Sequence, residues 1–133
     1  MRMRAAASAW RHRAVVLSLV LAGALCGCSR TAVTVHSALL RLRVGEYQIS
    51  PESVRIDAGL IRIELTDDGV LAHQVAVAGG RSGSFYEVTS TVFPGHTTLT
   101  EPFTIAPGQY RLYDPGANYA DLGAYGTLTV LAR

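Results

Sequence analysis

Residues 108–130 read GQYRLYDPGANYADLGAYGTLTV, and this stretch decides the fold. Tyr110, Leu112 and Asp114 share one phase of a two-residue period, while Arg111 and Tyr113 share the other. Such alternation is the mark of a strand with one buried face. Pro115-Gly116-Ala117-Asn118 breaks the run and begins an irregular loop. Leu128 and Val130 then point one way and Thr127 and Thr129 the other, which predicts a closing strand. The stretch is therefore strand, loop, strand, and Asp114 is a carboxylate on the apolar phase.

The same alternation recurs upstream. Leu40, Leu42 and Val44 face one side and Arg41 and Arg43 the other. After a turn at 46–51, Val54 and Ile56 point in, with Arg55 and Asp57 out. Ala58-Gly59 turns the chain, Ile61, Ile63 and Leu65 point in, and Asp67-Asp68-Gly69 turns it again. His73, Val75 and Val77 then share a phase. Short strands with apolar-in, charged-out alternation and regular turn signals predict an all-β antiparallel sandwich. The outward Arg and acidic residues are expected to pair across strands, each pair contributing only about 0–1 kcal/mol. Residues 78–95 are less regular and rich in Gly and Ser, with Phe85, Val88 and Val92 as apolar anchors. Pro94-Gly95 and Pro107-Gly108 are turn signals.

The first 28 residues have a different character. Arg2, Arg4, Arg11 and Arg13 precede an apolar run from Ala14 to Leu25 that is too short to span a bilayer comfortably. The run ends in Leu25-Cys26-Gly27-Cys28, which resembles the bacterial lipobox. That resemblance implies a signal peptide over 1–27, cleavage before Cys28, and a diacylglycerol on its sulfur. Residues 28–38 then form a tether and 39–133 the domain. Cys26 and Cys28 are the only cysteines, so the exported domain would have neither a disulfide nor a free thiolate.

Charge narrows the function classes. The formal net charge is +2, but the leader carries four of the 12 basic residues, all of them Arg. From residue 28 onward 8 Arg stand against 10 Asp and Glu, a net −2. No basic run interleaves with aromatics, so nucleic acid is not an expected partner.

The ordered set of motifs over the domain resembles the cupredoxins, the blue-copper electron carriers. The segment from Glu46 through Pro51 to Ala58-Gly59, the strand end Thr66-Asp67-Asp68-Gly69, the following His73, and Gly126-Thr127-Leu128-Thr129-Val130 all fall where that family has counterparts. The resemblance implies an antiparallel Greek-key sandwich. It also implies a metal site at one end, with His73 as the retained first ligand. The family's cysteine, second histidine and methionine correspond to Asp114, Tyr119 and Ala124. Blue copper needs two imidazoles, a thiolate and a weak thioether, so the implied site is degenerate.

Two readings of these residues stay open. In the first, His73 is a core histidine, Asp114 begins a turn, and the two hydrogen-bond across the vacated metal position, with no cofactor. In the second, His73, Asp114 and Tyr119 form an imidazole, carboxylate and phenol set suited to iron or copper. His36 and His96 are expected in solvent. Tyr110, Tyr113, Tyr119 and Tyr125 are read as aromatic packing at one end of the sandwich or as a docking patch. No arrangement supports catalysis; Gly80-Arg81-Ser82-Gly83-Ser84 lacks the spacing of a nucleophile turn. The leading expectation is a non-enzymatic envelope protein, lipid-anchored through Cys28, that binds another envelope protein. The alternative is a metal-handling protein.

Overall fold

The computed structural model describes residues 31–133. These residues form strands and loops only. The strands are β1 (Val33–Val35), β2 (Leu39–Gly45), β3 (Gln48–Ser50), β4 (Ser53–Asp57), β5 (Gly59–Asp67) and β6 (Ala76–Gly79). They continue as β7 (Phe85–Val88), β8 (Thr97–Leu99), β9 (Phe103–Ile105), β10 (Gly108–Tyr113) and β11 (Tyr125–Leu131). One sheet has the order β1-β4-β11-β10-β6-β7 and the other β3-β2-β5-β8, with β9 also pairing β5.

The alternation read from sequence is the alternation that packs. Leu40, Leu42, Val44, Val54, Ile56, Ile61, Ile63 and Leu65 fill the space between the sheets, joined by Val75, Val77, Ile105, Leu112, Leu128 and Val130. Burying one such side chain contributes about 1.5–3 kcal/mol. The outward charges pair as expected. Arg41 lies opposite Glu64 in the β2–β5 register and donates to it at 3.0 Å, and Arg43 forms a two-pronged bridge with Asp68.

Strand direction departs from expectation. The sheets are mixed: β1–β4, β4–β11 and β2–β5 are parallel pairs. Apolar alternation reports which face of a strand is buried and carries no information about the direction of its neighbour. The parallel pairs join strands far apart in sequence, so no local turn signal reveals them. Three short elements are additional: β3 lies in the expected 46–51 turn, β7 in the Gly/Ser-rich stretch, and β1 in the stretch read as tether. Each has at most one fully buried residue, too few for a period to show.

The registers give the sandwich two distinct ends. β4 and β11 start, and β2, β5 and β10 finish, at one end, where Asp67, His73 and Asp114 gather; we call this the site end. Gly59, Ile105 and Gly108 lie at the far end. The tyrosines do not share one end. Tyr110 is buried toward the far end, edge-on to Phe85, with its hydroxyl donating to the Ala106 carbonyl at 2.7 Å. Tyr113 and Tyr125 flank the Arg111 guanidinium on β10, 5.1 and 5.8 Å from their ring centres. Phenols on opposite faces of one strand cannot form a single patch, which corrects the expectation of one cluster.

Candidate functional site

His73 is placed by its backbone. Its N–H donates to the Val92 carbonyl and its carbonyl accepts the Val92 N–H in return, both at 2.9 Å, an isolated bridge just before β6. The clamp turns the imidazole inward, where only 2% of the residue is exposed. Asp114 directly follows β10 on the same phase as Tyr110 and Leu112, and is equally buried. The two meet: His73 Nδ1 lies 2.6 Å from Asp114 Oδ2. A carboxylate only accepts, so the shared proton is carried on Nδ1. The other oxygen, Oδ1, accepts the Gly116 N–H at 2.7 Å and fixes the start of the loop.

The loop from Pro115 to Ala124 is held by its own backbone. The Asp114 N–H donates to the Ala124 carbonyl at 3.0 Å, and the Ala124 N–H to the Tyr119 carbonyl at 2.9 Å. These bonds bring Tyr119 over His73, with ring centres 4.7 Å apart and planes at 64°. Such an edge-on pair is worth about 0.5–1.5 kcal/mol beyond the area it buries. Ala124 is fully buried. Gly123, at φ 122°, passes the next segment so closely that a Cβ there would lie 2.6 Å from the Tyr47 carbonyl oxygen.

Sequence reasoning missed a third carboxylate. Glu46 follows β2, and its Oε1 accepts the backbone N–H groups of Val70 and Leu71 while lying 3.6 Å from His73 Nε2. The Val70 N–H is the strongest influence holding the Glu46 carboxyl down, to about 2; its own backbone N–H comes next, and the Leu71 N–H and His73 add to these against the opposing effect of burial. Nothing in the local sequence marks Glu46, because its partners are 24 and 25 residues away. At 3.6 Å the Glu46 contact is beyond hydrogen-bond range, and His73 Nε2 is buried with no hydrogen-bond partner. A protonated ring would present one N–H to each carboxylate.

His73, Asp114 and Tyr119 are therefore together, as a hydrogen-bonded pair with a tyrosine ring packed edge-on against it. His96 is exposed at the surface, with Nδ1 3.0 Å from the Pro94 carbonyl oxygen, and His36 is exposed 4.0 Å from Asp57. The residues do not fit blue copper. One imidazole nitrogen is engaged by Asp114, the position of the second imidazole is a phenol ring edge, and the thioether position is a buried methyl. No cysteine occurs after Cys28. Among the described residues no group of three or more His, Cys, Asp and Glu is arranged to hold a metal ion. The leader and Cys28 lie outside the described residues, and no helix among those residues is long and apolar enough to cross a membrane.

No known family profile matches the chain, and no curated protein matches it in sequence. Solved structures do match. A dithionite-reduced auracyanin from the photosynthetic bacterium Roseiflexus castenholzii superposes with a TM-score of 0.62 at 17% identity, covering 73% of this chain and 99% of that one. Auracyanin A from Chloroflexus aurantiacus, described as a blue copper protein, gives 0.53 at 14% identity, covering 70% and 99%. A multicopper oxidase gives 0.53 at 14% identity, covering 71% of this chain and 42% of its own. A blue copper protein and a multicopper oxidase share this architecture, so the fold alone does not separate an enzyme from a binding protein. What residues 31–133 have in common with these proteins is the cupredoxin fold, a mixed two-sheet sandwich with loops gathered at one end.

Proposed function

We propose that this chain is a non-enzymatic binding module of the bacterial envelope, with a cupredoxin fold in which a hydrogen-bonded side-chain group stands where the family holds copper. The observation that carries this reading is the 2.6 Å contact between His73 Nδ1 and Asp114 Oδ2. A metal entering here must break that buried bond, and it would find one imidazole and hard oxygen donors in place of a thiolate. Lipid on Cys28 would hold the module at a membrane, and its partner would be another envelope protein.

The test is calorimetric titration of the purified protein with Cu(II) and with Fe(III), alongside His73→Ala. The expected outcome is no stoichiometric binding by either protein. Tight one-to-one binding that is lost in His73→Ala would overturn the reading. It would favour a metal-handling protein using His73, Asp114 and Tyr119.

A further inference from the structure

A cavity of about 500 Å³ opens at the far end, between the loop that joins β6 to β7 and the turn that joins β9 to β10. That volume falls within the range of small-molecule sites, about 300–1,000 Å³. Close backbone approach creates it. The Gly80 N–H donates to the Gln109 carbonyl at 2.9 Å and lays the loop across Tyr110. Gly80 has φ 82°, and a Cβ there would lie 3.0 Å from the Tyr110 hydroxyl and 3.1 Å from its ring. Only glycine lets the loop run this close.

The lining has two chemistries. One part is apolar: Phe85 and Tyr110 stand edge-on, with ring centres 5.4 Å apart, and Ala106 and Pro107 extend their surface. The bond from the Tyr110 hydroxyl to the Ala106 carbonyl fixes that wall. The other part is polar. Among the described residues Arg81 is the one charged member of the lining, and no carboxylate pairs with its guanidinium. Arg41 and Arg43, by contrast, are each bridged to a carboxylate. The Ser82 and Ser84 hydroxyls lie 2.8 Å apart. One donates to the other, which leaves one hydroxyl proton for an outside acceptor. A free guanidinium and a hydroxyl donor beside an aromatic wall match an anion with an apolar body. A guanidinium grips a carboxylate through two parallel bonds, and aromatic walls take a ring edge-on or offset.

We propose that this cavity binds a small aromatic monocarboxylate, with its carboxylate on Arg81 and the serine hydroxyls and its ring against Phe85 and Tyr110. The site goes beyond the binding role proposed above. It needs neither the lipid nor the group at His73, and it gives the domain a small-molecule ligand at the pole away from His73.

The test is fluorine NMR titration of para-fluorophenylacetate with the purified protein, beside para-fluorophenylacetamide, which keeps the shape and removes the charge. Two variants read the two halves of the lining: Arg81→Gln removes the cation, and Ala106→Trp fills the apolar part. Both side chains are exposed, so folding is not at stake. The expected result is saturable binding of the acid, about tenfold tighter than the amide. Arg81→Gln should bring the acid down to the level of the amide, and Ala106→Trp should abolish binding of both. No saturable binding up to the solubility limit of the acid overturns the proposal. So does equal affinity for acid and amide, or acid binding undiminished by either substitution. A failure here leaves the reading of the His73 group untouched, because Arg81 and Ala106 take no part in it.

Discussion

Asp67 and Asp114 are two buried carboxylates placed almost alike. Each closes an inward-facing run at the site end of a core strand, at 1% and 2% exposure. Each uses Oδ1 to accept the N–H two residues on, Gly69 in one case and Gly116 in the other, both at 2.7 Å. They differ in the second oxygen. Asp114 Oδ2 bonds His73 at 2.6 Å, whereas Asp67 Oδ2 is buried with no hydrogen-bond partner. The turn-forming role of aspartate is thus common to both, and only the second oxygen distinguishes a turn from a buried hydrogen-bonded pair.

The comparison can be broken most severely at His73. His73→Ala leaves Asp114 Oδ2 buried without its partner and opens a cavity under Tyr119, so we expect a loss of about 3–5 kcal/mol in denaturant unfolding. Asp114→Asn keeps an oxygen for the Gly116 N–H but replaces the carboxylate facing Nδ1, and should cost about 1–3 kcal/mol. An unfolding midpoint unchanged in that variant would mean that the histidine contact contributes nothing. Glu46→Gln removes a contribution that is present at neutral pH and disappears in acid. The folded carboxyl titrates at about 2, below its ordinary 4.5, so its contribution is complete above about 4.5 and is lost as the pH falls through about 2. The stability difference between wild type and Glu46→Gln should therefore be flat above pH 5 and shrink steadily below it. Asp67→Asn is the smallest, within about 1 kcal/mol, because Oδ2 has no bond to lose. A cost equal to that of Asp114→Asn would show that the two carboxylates are equivalent after all.

The same two residues measure how much was legible in the sequence. Asp114 could be singled out because it continues the phase of Tyr110 and Leu112 at a strand end. Asp67 continues the phase of Ile61, Ile63 and Leu65 just as plainly, yet Asp67-Asp68-Gly69 reads first as a turn; the inward carboxylate was within reach of the same argument. The core strands were legible because burial on one face imposes a two-residue period that composition preserves. Glu46 was not, since its chemistry depends on a loop brought alongside by the β2–β5 pairing. Strand direction was hidden for the same reason, being a property of neighbours rather than of any one segment. His73 and Asp114 were brought together as expected, but the state of the pair, a closed hydrogen bond beneath a tyrosine ring, needed the distances.

The outer strands have a consequence for life at high local concentration. Among the described residues the outermost strands are brief: β1, β3 and β8 have three residues each and β7 has four, while β5 has nine. Unpaired backbone groups along a border are what let one molecule add its strand to another and seed aggregates. With outer strands this short, the border open to strand addition is limited, its longest stretch being Leu39–Leu42 of β2, which β3 does not cover. The brevity of these strands limits strand-to-strand addition along the perimeter, independently of anything at His73.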